Sequence, residues 1–351
     1  MLTTRADVVG SLLRPPELLE ARKGFLSGTL SSEKFKVIED RAVDRAIALQ
    51  EEAGLEVVTD GEQRRLSFQS QMTEAVEGFG EWNQRTKRPN SLGVIGKLKR
   101  KRWLSVGEFL YVKNRTGRIP KITLPSPSLF SNFWSKEKSS NAYPTLDAFL
   151  ADVTDILKDE VDELVRCGAT YIQLDAPHYP LLLDSRLRRF YESRGWTAGK
   201  WLQAGIEMDN TVIGDHPGVT FGFHLCRGNQ GSRWLVEGGY DLIAKPIFKT
   251  TRAQRLLLEY DDMRSGSFHP LKEVPEDKTV VLGLVTTKSP RQETVKDLTQ
   301  RIRQASRIVP MDRLAISPQC GFGTSIIGNA LSFEDQKRKL EILVATARAI
   351  W

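Results

Sequence analysis

Residues 220–229 read T-F-G-F-H-L-C-R-G-N, an apolar run that ends in a histidine and a cysteine two positions apart. The aromatic and aliphatic residues predict a buried strand. Because successive side chains alternate between the two faces of a strand, His224 and Cys226 are expected to point the same way at its end. Zinc binds imidazole nitrogen and thiolate sulfur, so this stretch predicts half of a metal site.

Two later apolar runs end in residues of the same kind. The run at 255–262 reads R-L-L-L-E-Y-D-D, and the run at 314–323 reads L-A-I-S-P-Q-C-G-F-G. The H-x-C pattern alone is a weak signal, because a buried cysteine is more often a small apolar packing residue. Position favours a shared zinc site, since each candidate falls where a strand gives way to a loop. The candidate ligands are His224, Cys226, Glu259 and Cys320.

Eight strand-like runs follow one another, and most are followed by a helix. This alternation predicts an α/β fold, a (β/α)8 TIM barrel formed by residues 1–351 as one catalytic domain. Right-handed crossovers place the carboxyl ends of all strands on one face, where barrel enzymes carry their chemistry. The eight runs are 7–11, 55–62, 121–125, 171–177, 220–226, 255–262, 279–285 and 314–320.

Residues 64–120, after the second strand, break the alternation. They contain the basic run K-L-K-R-K-R at 97–102 and then Phe109, Tyr111 and Lys113 at alternate positions. This pattern predicts an inserted hairpin or lid rather than barrel wall. Elsewhere, apolar periodicity predicts helices over 32–53 and near 232–238, and Ser332 with Asp335 predicts a capping box for the last helix.

The composition restricts the possible partners. Lys and Arg total 51 against 44 Asp and Glu, a formal charge of +7, which suits anionic small molecules or weak nucleic-acid binding. No recognised nucleic-acid module surrounds the basic run, so a solvated hairpin is the favoured interpretation of 97–102. Three cysteines without regular spacing do not make a disulfide framework. We expect a cytoplasmic protein without a membrane partner, since no apolar run reaches about 18 residues.

Six motifs in order resemble the catalytic barrel of cobalamin-independent methionine synthases, and more closely their short single-barrel relatives. The resemblance covers nearly the whole chain except 64–120, and the long members carry an additional amino-terminal barrel. The motifs are D-V-V-G-S (7–11), V-V-T-D-G-E (57–62), Y-I-Q-L-D-A-P (171–177), F-H-L-C-R-G-N (223–229), L-L-L-E-Y-D-D (256–262) and S-P-Q-C-G-F (317–322).

The resemblance implies zinc bound by the four candidate ligands and homocysteine as the methyl acceptor. It implies that Glu62 and Asp175 receive the amino group of homocysteine, with Ser11 near its carboxylate. Charge-assisted hydrogen bonds to a desolvated ammonium are strong, so two carboxylates suit that role. A zinc ion that binds the substrate sulfur would supply a thiolate nucleophile at neutral pH.

The methyl donor is less well defined. Where the long members have a histidine before Ser-Pro, this chain has Lys288, so the donor is either 5-methyltetrahydrofolate or another small methyl donor. A methyl group on a tertiary amine leaves only after protonation, and Lys288 and Asp261 are the candidate acids. Ser126, at a strand end, is expected to line a pocket, and Trp134 to stack on a flat donor.

Two alternatives remain open from the sequence. A related zinc-dependent alkyltransferase would act on a different thiol or on an epoxide, although Glu62 and Asp175 favour an amino-acid thiol over a sulfonate thiol. A basic nucleic-acid-binding protein that uses 97–102 would show salt-sensitive affinity and no bound metal.

Overall fold

A curled sheet of seven parallel strands forms the centre of the computed structural model, which describes residues 2–82 and 92–351. The strands are β1 (Val57–Val58), β2 (Val76–Glu81), β3 (Leu92–Arg100), β4 (Ile119–Pro125), β5 (Tyr171–Asp175), β6 (Thr220–Leu225), β7 (Arg255–Glu259), β8 (Thr279–Val285) and β9 (Leu314–Pro318). The parallel sheet has the order β1-β4-β5-β6-β7-β8-β9, so strands adjacent in this order are also consecutive along the chain, apart from β2 and β3. The predicted α/β class is confirmed.

The helices lie between these strands and at both ends of the described chain. They are α1 (Pro16–Leu26), α2 (Ser32–Glu52), α3 (Ser70–Ala75), α4 (Val106–Lys113), α5 (Lys136–Ser139), α6 (Leu146–Arg166), α7 (His178–Leu181), α8 (Ser185–Glu192), α9 (Ala198–Ile213), α10 (Ala244–Phe248), α11 (Val295–Ala305) and α12 (Phe333–Ile350). Helix α2 matches the predicted 32–53. The predicted capping box is also confirmed, because the Ser332 hydroxyl accepts from the Asp335 amide and the Asp335 carboxylate accepts from the Ser332 amide.

The strands β5, β6, β7 and β9 are buried at every position, as expected for parallel strands covered on both faces. Helices such as α6 and α12 cover them, each with a stripe of buried apolar side chains. Within residues 2–82 and 92–351, no helix is long and apolar enough to cross a membrane.

The predicted first strand, 7–11, is wrong as a strand although its place is right. Only Ala6 pairs with β9, through an isolated parallel bridge to Ile316. Two backbone hydrogen bonds form this bridge, from the Asp7 amide to the Ile316 carbonyl at 2.9 Å and from the Ile316 amide to the Arg5 carbonyl at 2.8 Å. The Val8 amide donates to the Asp7 carboxylate at 2.9 Å and so forms no ladder bond. Farther along, the Gly10 carbonyl accepts from the Thr59 hydroxyl at 2.7 Å. The segment therefore lies between β9 and β1 without a regular ladder to either.

The region 64–120 is only partly as predicted. An antiparallel pair, β2 with β3, lies within it, and residues 83–91 of the region are outside the described residues. The alternation at 109–113 was wrongly interpreted as strand, because these residues belong to α4, where Phe109 and Val112 are buried three positions apart on one helical face. That the region is an insertion into a barrel stays a prediction.

The predicted helix near 232–238 is also wrong. Gln230 and Arg233 form an isolated antiparallel bridge there, and Ser232 has a φ of 67°. Gly231 and Gly238 also have positive φ, which a right-handed helix does not allow. This segment, which comes after β6, is therefore an irregular loop.

Candidate metal and substrate site

The candidate metal ligands lie at the carboxyl ends of β6, β7 and β9, on one side of the sheet. His224 is the fifth residue of β6, Cys226 follows that strand directly, and Cys320 comes two residues after β9. In the register of the sheet, Asp175 at the end of β5 is paired with His224. Parallel strands thus bring residues from distant parts of the sequence to one rim, as the sequence predicted.

Three of these side chains form a compact, buried cluster. The ligand atoms of His224, Cys226 and Cys320 all lie within 4.8 Å of one another, and the two sulfurs are 3.6 Å apart. Two sulfurs bound at about 2.3 Å to one tetrahedral zinc are about 3.8 Å apart, so the observed spacing suits that ion. Both ring nitrogens of His224 are buried and have no hydrogen-bond partner in residues 2–82 and 92–351, which is costly unless a metal or ligand binds one of them.

The two cysteines influence each other's protonation. The hydrogen bond from Cys320 lowers the pKa of Cys226 well below its ordinary value, and the nearby His224 lowers it further. The same contact with Cys226, together with burial, raises the pKa of Cys320. Without a cation the pair therefore favours a single thiolate, whereas a soft divalent cation would stabilise both as thiolates.

Glu259, the fourth predicted ligand, lies at the end of β7 but outside that three-residue cluster. Its Oε2 accepts from the backbone amide of Arg227 at 2.6 Å, and its Oε1 accepts from the ammonium of Lys288 at 3.1 Å. Burial raises the pKa of Glu259, although Lys288 acts in the opposite direction. The carboxylate is therefore close enough to the cysteines to interact with them electrostatically, yet it is bound to protein donors.

A cavity of about 440 Å³ opens beside the cluster. The residues that line it include the aromatic Phe68 and Tyr191 and the aliphatic Leu129 and Leu235. Such a mixture of apolar wall and a few convergent polar groups is typical of small-molecule sites. It is lined by six predicted site residues: Ser11, Glu62, Asp175, His224, Cys226 and Cys320.

Glu62 reaches this cavity from an uncommon backbone conformation. Its φ is 53°, which few residues other than glycine adopt and which is often found at functional positions. Oε1 accepts from the Thr123 hydroxyl at 2.8 Å and lies 3.4 Å from the Arg65 guanidinium. Oε2 is buried and has no partner in the part of the chain that the structure describes. The free oxygen is available to a cationic group in the cavity.

Asp175 and Ser11 complete the polar side of the cavity. The Gln173 amide donates to Asp175 Oδ1 at 2.7 Å, and burial raises the pKa of this carboxyl to about 7 despite the nearby His224. Ser11 lies against Gly321, where a Cβ atom would come within 2.0 Å of the Ser11 hydroxyl oxygen. Glycine after Cys320 is therefore needed for Ser11 to face the cavity.

Other predicted site residues do not line this cavity. Ser126 is fully buried beside Ser128, and the Trp134 indole donates to the Tyr143 carbonyl at 3.0 Å within the hydrophobic core. Asp261 accepts from Arg264 at 3.3 Å and lines a separate cavity of about 420 Å³. Lys288 contacts Glu259. The roles predicted for these four residues stay predictions.

The sequence interpretation missed the residues that orient the two carboxylates. Thr123 on β4 donates to Glu62, and Gln173 on β5 donates to Asp175. The signal for Gln173 was present, because residues two apart on a strand share a face. Asn229 was also missed; its amide donates to Thr287 and to the Gly321 carbonyl, each at 3.0 Å, and so ties together the loops around the cluster.

A family model for the catalytic domain of cobalamin-independent synthases matches residues 1–334. The chain belongs to the cobalamin-independent synthase family. The resemblance inferred from the six motifs is thereby confirmed.

Relatives in the family agree with this assignment. The chain is 33% identical over 359 residues to the uncharacterized protein YxjH of Bacillus subtilis (strain 168), covering 99% of this chain and 94% of that protein. It is 27% identical over 320 residues to a methionine synthase of Pyrococcus abyssi (strain GE5 / Orsay), covering 90% and 85% of the two chains.

The fold also has a close match among solved structures. A B12-independent methionine synthase from Shewanella sp. W3-18-1, solved in complex with selenomethionine, matches with a TM-score of 0.80 over 100% of this chain and 98% of that one. At 20% identity this likeness concerns the fold.

Proposed function

We propose that the protein is a zinc-dependent methyltransferase that transfers a methyl group to the thiol of homocysteine and so forms methionine. The observation that carries the proposal is the cluster of His224, Cys226 and Cys320 opening into a cavity that Glu62 and Asp175 also line. Family membership and relatives named methionine synthase support the same reaction.

Each residue has a distinct part in the proposed reaction. His224, Cys226 and Cys320 would hold the zinc ion, which supplies the Lewis acidity that keeps a substrate thiol deprotonated at neutral pH. Glu62 Oε2, for which the described residues provide no partner, would accept from the substrate ammonium together with Asp175. Ser11 would donate to the substrate carboxylate. These contacts would fix the sulfur next to the cavity from which the donor approaches.

The methyl donor would enter from the apolar side of the same cavity. The substrate sulfur attacks the methyl carbon, the bond from that carbon to the donor atom breaks, and its electron pair stays with the donor. A reduced folate and another small methyl donor are both compatible with walls formed by Phe68, Leu129 and Tyr191. Assaying homocysteine with a panel of donors, with methionine as the readout, distinguishes them.

Metal content and turnover together test the proposal. Purified protein should contain about one zinc per chain, and Cys320→Ser should lose both zinc and methionine formation because a thiolate ligand is removed. Cys167→Ser is the matched control, because Cys167 follows α6 and does not belong to the cluster of His224, Cys226 and Cys320. Methionine formation by a zinc-free Cys320→Ser protein would refute the proposal.

The alternatives from the sequence have less support. An alkyltransferase for another thiol or an epoxide would share the metal cluster, but the two cavity carboxylates favour a thiol that carries an ammonium. For nucleic acid, part of the basic run is already used within the protein. Lys97 lies 4.0 Å from the centre of the Tyr143 ring, and Arg100 lies 3.9 Å from that of Trp103.

A further inference from the structure

Four buried polar side chains join α9 to two segments beside the cavity. The Tyr179 hydroxyl donates to Asp209 Oδ2 at 2.7 Å, and its oxygen lies 3.3 Å from the Ser128 hydroxyl. Ser128 Oγ in turn lies 2.7 Å from Nε2 of His178. Each of the four side chains is at most 1% exposed, so water does not compete for these hydrogen bonds.

These contacts reach the cavity through the neighbours of Ser128 and Tyr179. Ser128 belongs to a 3-10 helix, Pro127–Phe133, and Tyr179 belongs to α7. Tyr191 of α8, which also lines the cavity, packs edge-on against Trp201 of α9 with the ring centres 5.4 Å apart. No residue of α9 itself lines the cavity, so the helix supports the cavity wall from outside. From the 3-10 helix, from α7 and from the residue before α7, four side chains line the cavity: Leu129, Asn132, Pro177 and Leu181.

Helix α9 has a glycine where it meets the two hydroxyls. A glycine inside a helix is less favourable than an alanine, and Gly205 has no positive φ that would require it. A Cβ atom at Gly205 would lie 2.4 Å from the Tyr179 hydroxyl oxygen and 3.1 Å from that of Ser128. The close packing of these two side chains against the helix therefore requires glycine at this position.

We propose that Tyr179 is a positioning residue for the methyl donor. Its hydroxyl, bound to Asp209 and packed against Gly205, holds α7 in place, and its contact with Ser128 holds the neighbouring 3-10 helix as well. Together the two segments set the width of the apolar side of the cavity, where the donor would enter. This inference rests on the proposed function and adds what determines the shape of the donor site.

The proposed homocysteine contacts are held by other residues. Glu62 is oriented by the Thr123 hydroxyl on β4, and Asp175 is oriented by the Gln173 amide on β5. Neither contact involves Ser128, α7 or α9. Loss of the Tyr179 hydrogen bonds should therefore weaken donor binding and leave homocysteine binding unchanged.

Two glycines of α9 provide a matched structural test that needs no turnover. Gly205→Ala should displace the Tyr179 hydroxyl, whereas a Cβ atom at Gly199 would meet only the Thr197 hydroxyl oxygen, at 4.0 Å. Tyr179→Phe removes the hydroxyl and adds no atom. Crystal structures without substrate should show Leu181 shifted and the cavity changed in Gly205→Ala and in Tyr179→Phe. The structure of Gly199→Ala should match the wild type.

Kinetics test the effect on the donor, with homocysteine and 5-methyltetrahydrofolate or whichever donor the panel shows to be active. Tyr179→Phe should raise the KM for the donor by up to about tenfold, the effect of one lost hydrogen bond between neutral groups. The KM for homocysteine and the zinc content should stay unchanged. Gly205→Ala should separate the two KM values in the same way, and Gly199→Ala should have the wild-type values.

The proposal is overturned if folded Gly205→Ala and Tyr179→Phe both have the wild-type cavity. It is also overturned if Tyr179→Phe leaves the KM for the donor unchanged, or if it raises both KM values equally, as a general structural defect would. If Gly205→Ala does not fold, Tyr179→Phe decides the matter alone. A wild-type protein that forms no methionine with any donor contradicts the proposed function, whereas the crystal structures still decide whether Tyr179 positions the cavity wall.

Discussion

At the scale of single residues, Glu62 offers the sharpest test of substrate binding. Glu62 lines the cavity, and its Oε2 has no partner among the described residues, while Oε1 is held by Thr123 and Arg65. Glu62→Gln keeps the shape and removes the charge, so it should raise the KM for homocysteine by roughly 10–100-fold, the value of about 1.5–3 kcal/mol for a hydrogen bond to a charged group. Steady-state kinetics measure this change.

The control for Glu62→Gln is Glu108→Gln. Glu108 is a second carboxylate bound to the same Arg65, at 2.7 Å, but it does not line the cavity. Its replacement should leave the KM for homocysteine unchanged. If the two variants had equal KM values, the assignment of Glu62 to the substrate ammonium would be wrong.

The candidate metal ligands at strand ends could be predicted, because they are residue types that bind metals and each lies where an apolar run of the sequence ends. This holds for His224, Cys226 and Cys320, which the structure brings together. The ion pair between Lys288 and Glu259 could not be predicted, because it joins the loop after β8 to the end of β7 through side-chain conformations that no periodic pattern in the sequence indicates. The positive φ of Glu62 could not be predicted either. A positive φ is expected at Gly61, but nothing in the sequence indicates that the next residue also adopts one.

At the scale of elements, one buried carboxyl joins α9 to α7. Asp209 on α9 accepts from the Tyr179 hydroxyl at 2.7 Å, and its other oxygen is buried without a partner in the described residues. Burial raises the pKa of Asp209 to about 7, although the nearby hydroxyls of Ser126 and Tyr179 act against it. The folded protein therefore retains a proton there that the unfolded chain loses near pH 4.

The sign of the resulting pH dependence follows from the raised pKa. The stability that the protonated Asp209 contributes is fully present below the unfolded pKa and is lost as the pH rises through about 7. Asp209→Asn stays neutral, so it should be more stable than the wild type at pH 8, by up to about 4 kcal/mol, and similar to it at pH 4. Urea unfolding of both proteins from pH 4 to 8 measures the difference. A variant that is less stable at pH 8 would contradict the prediction.

Helices in which apolar residues recur at a regular spacing could be predicted from the sequence. Helices α2 and α12 have regular apolar stripes and a serine cap directly before the first helical residue, and their predicted positions were right. The prediction failed at 109–113, because these five residues contain both patterns. Phe109, Tyr111 and Lys113 alternate as in a strand, whereas Phe109 and Val112 are spaced as on one face of a helix. Packing of Phe109 in the core decides the conformation there, and the local sequence does not contain that contact.

At the scale of the whole molecule, polar side chains inside the curled sheet connect the amino-terminal segment to three strands. Asp7 Oδ1 accepts from Lys121 on β4 at 3.0 Å, and Oδ2 accepts from Tyr171 on β5 at 2.6 Å. Arg255 on β7 lies 3.2 Å from the same oxygen, and all three charged side chains are almost completely buried. The first run, 7–11, could be predicted in position but not in form, because these side-chain contacts replace a regular backbone ladder.

Asp7→Asn should therefore destabilise the entire fold. It leaves two buried cations without a counter-charge, and removing one partner of such an ion pair costs about 3–5 kcal/mol. Burial would raise the pKa of Asp7, but Lys121 and Arg255 lower it below its ordinary value, so the wild type should lose this contribution as the pH falls through that lowered pKa. Denaturant unfolding at pH 7 measures the loss. Adding Lys121→Met to Asp7→Asn should restore part of the stability, because it removes one unpaired cation. An Asp7→Asn protein as stable as the wild type would show that the contacts of Asp7 with Lys121 and Arg255 do not hold the amino-terminal segment in place.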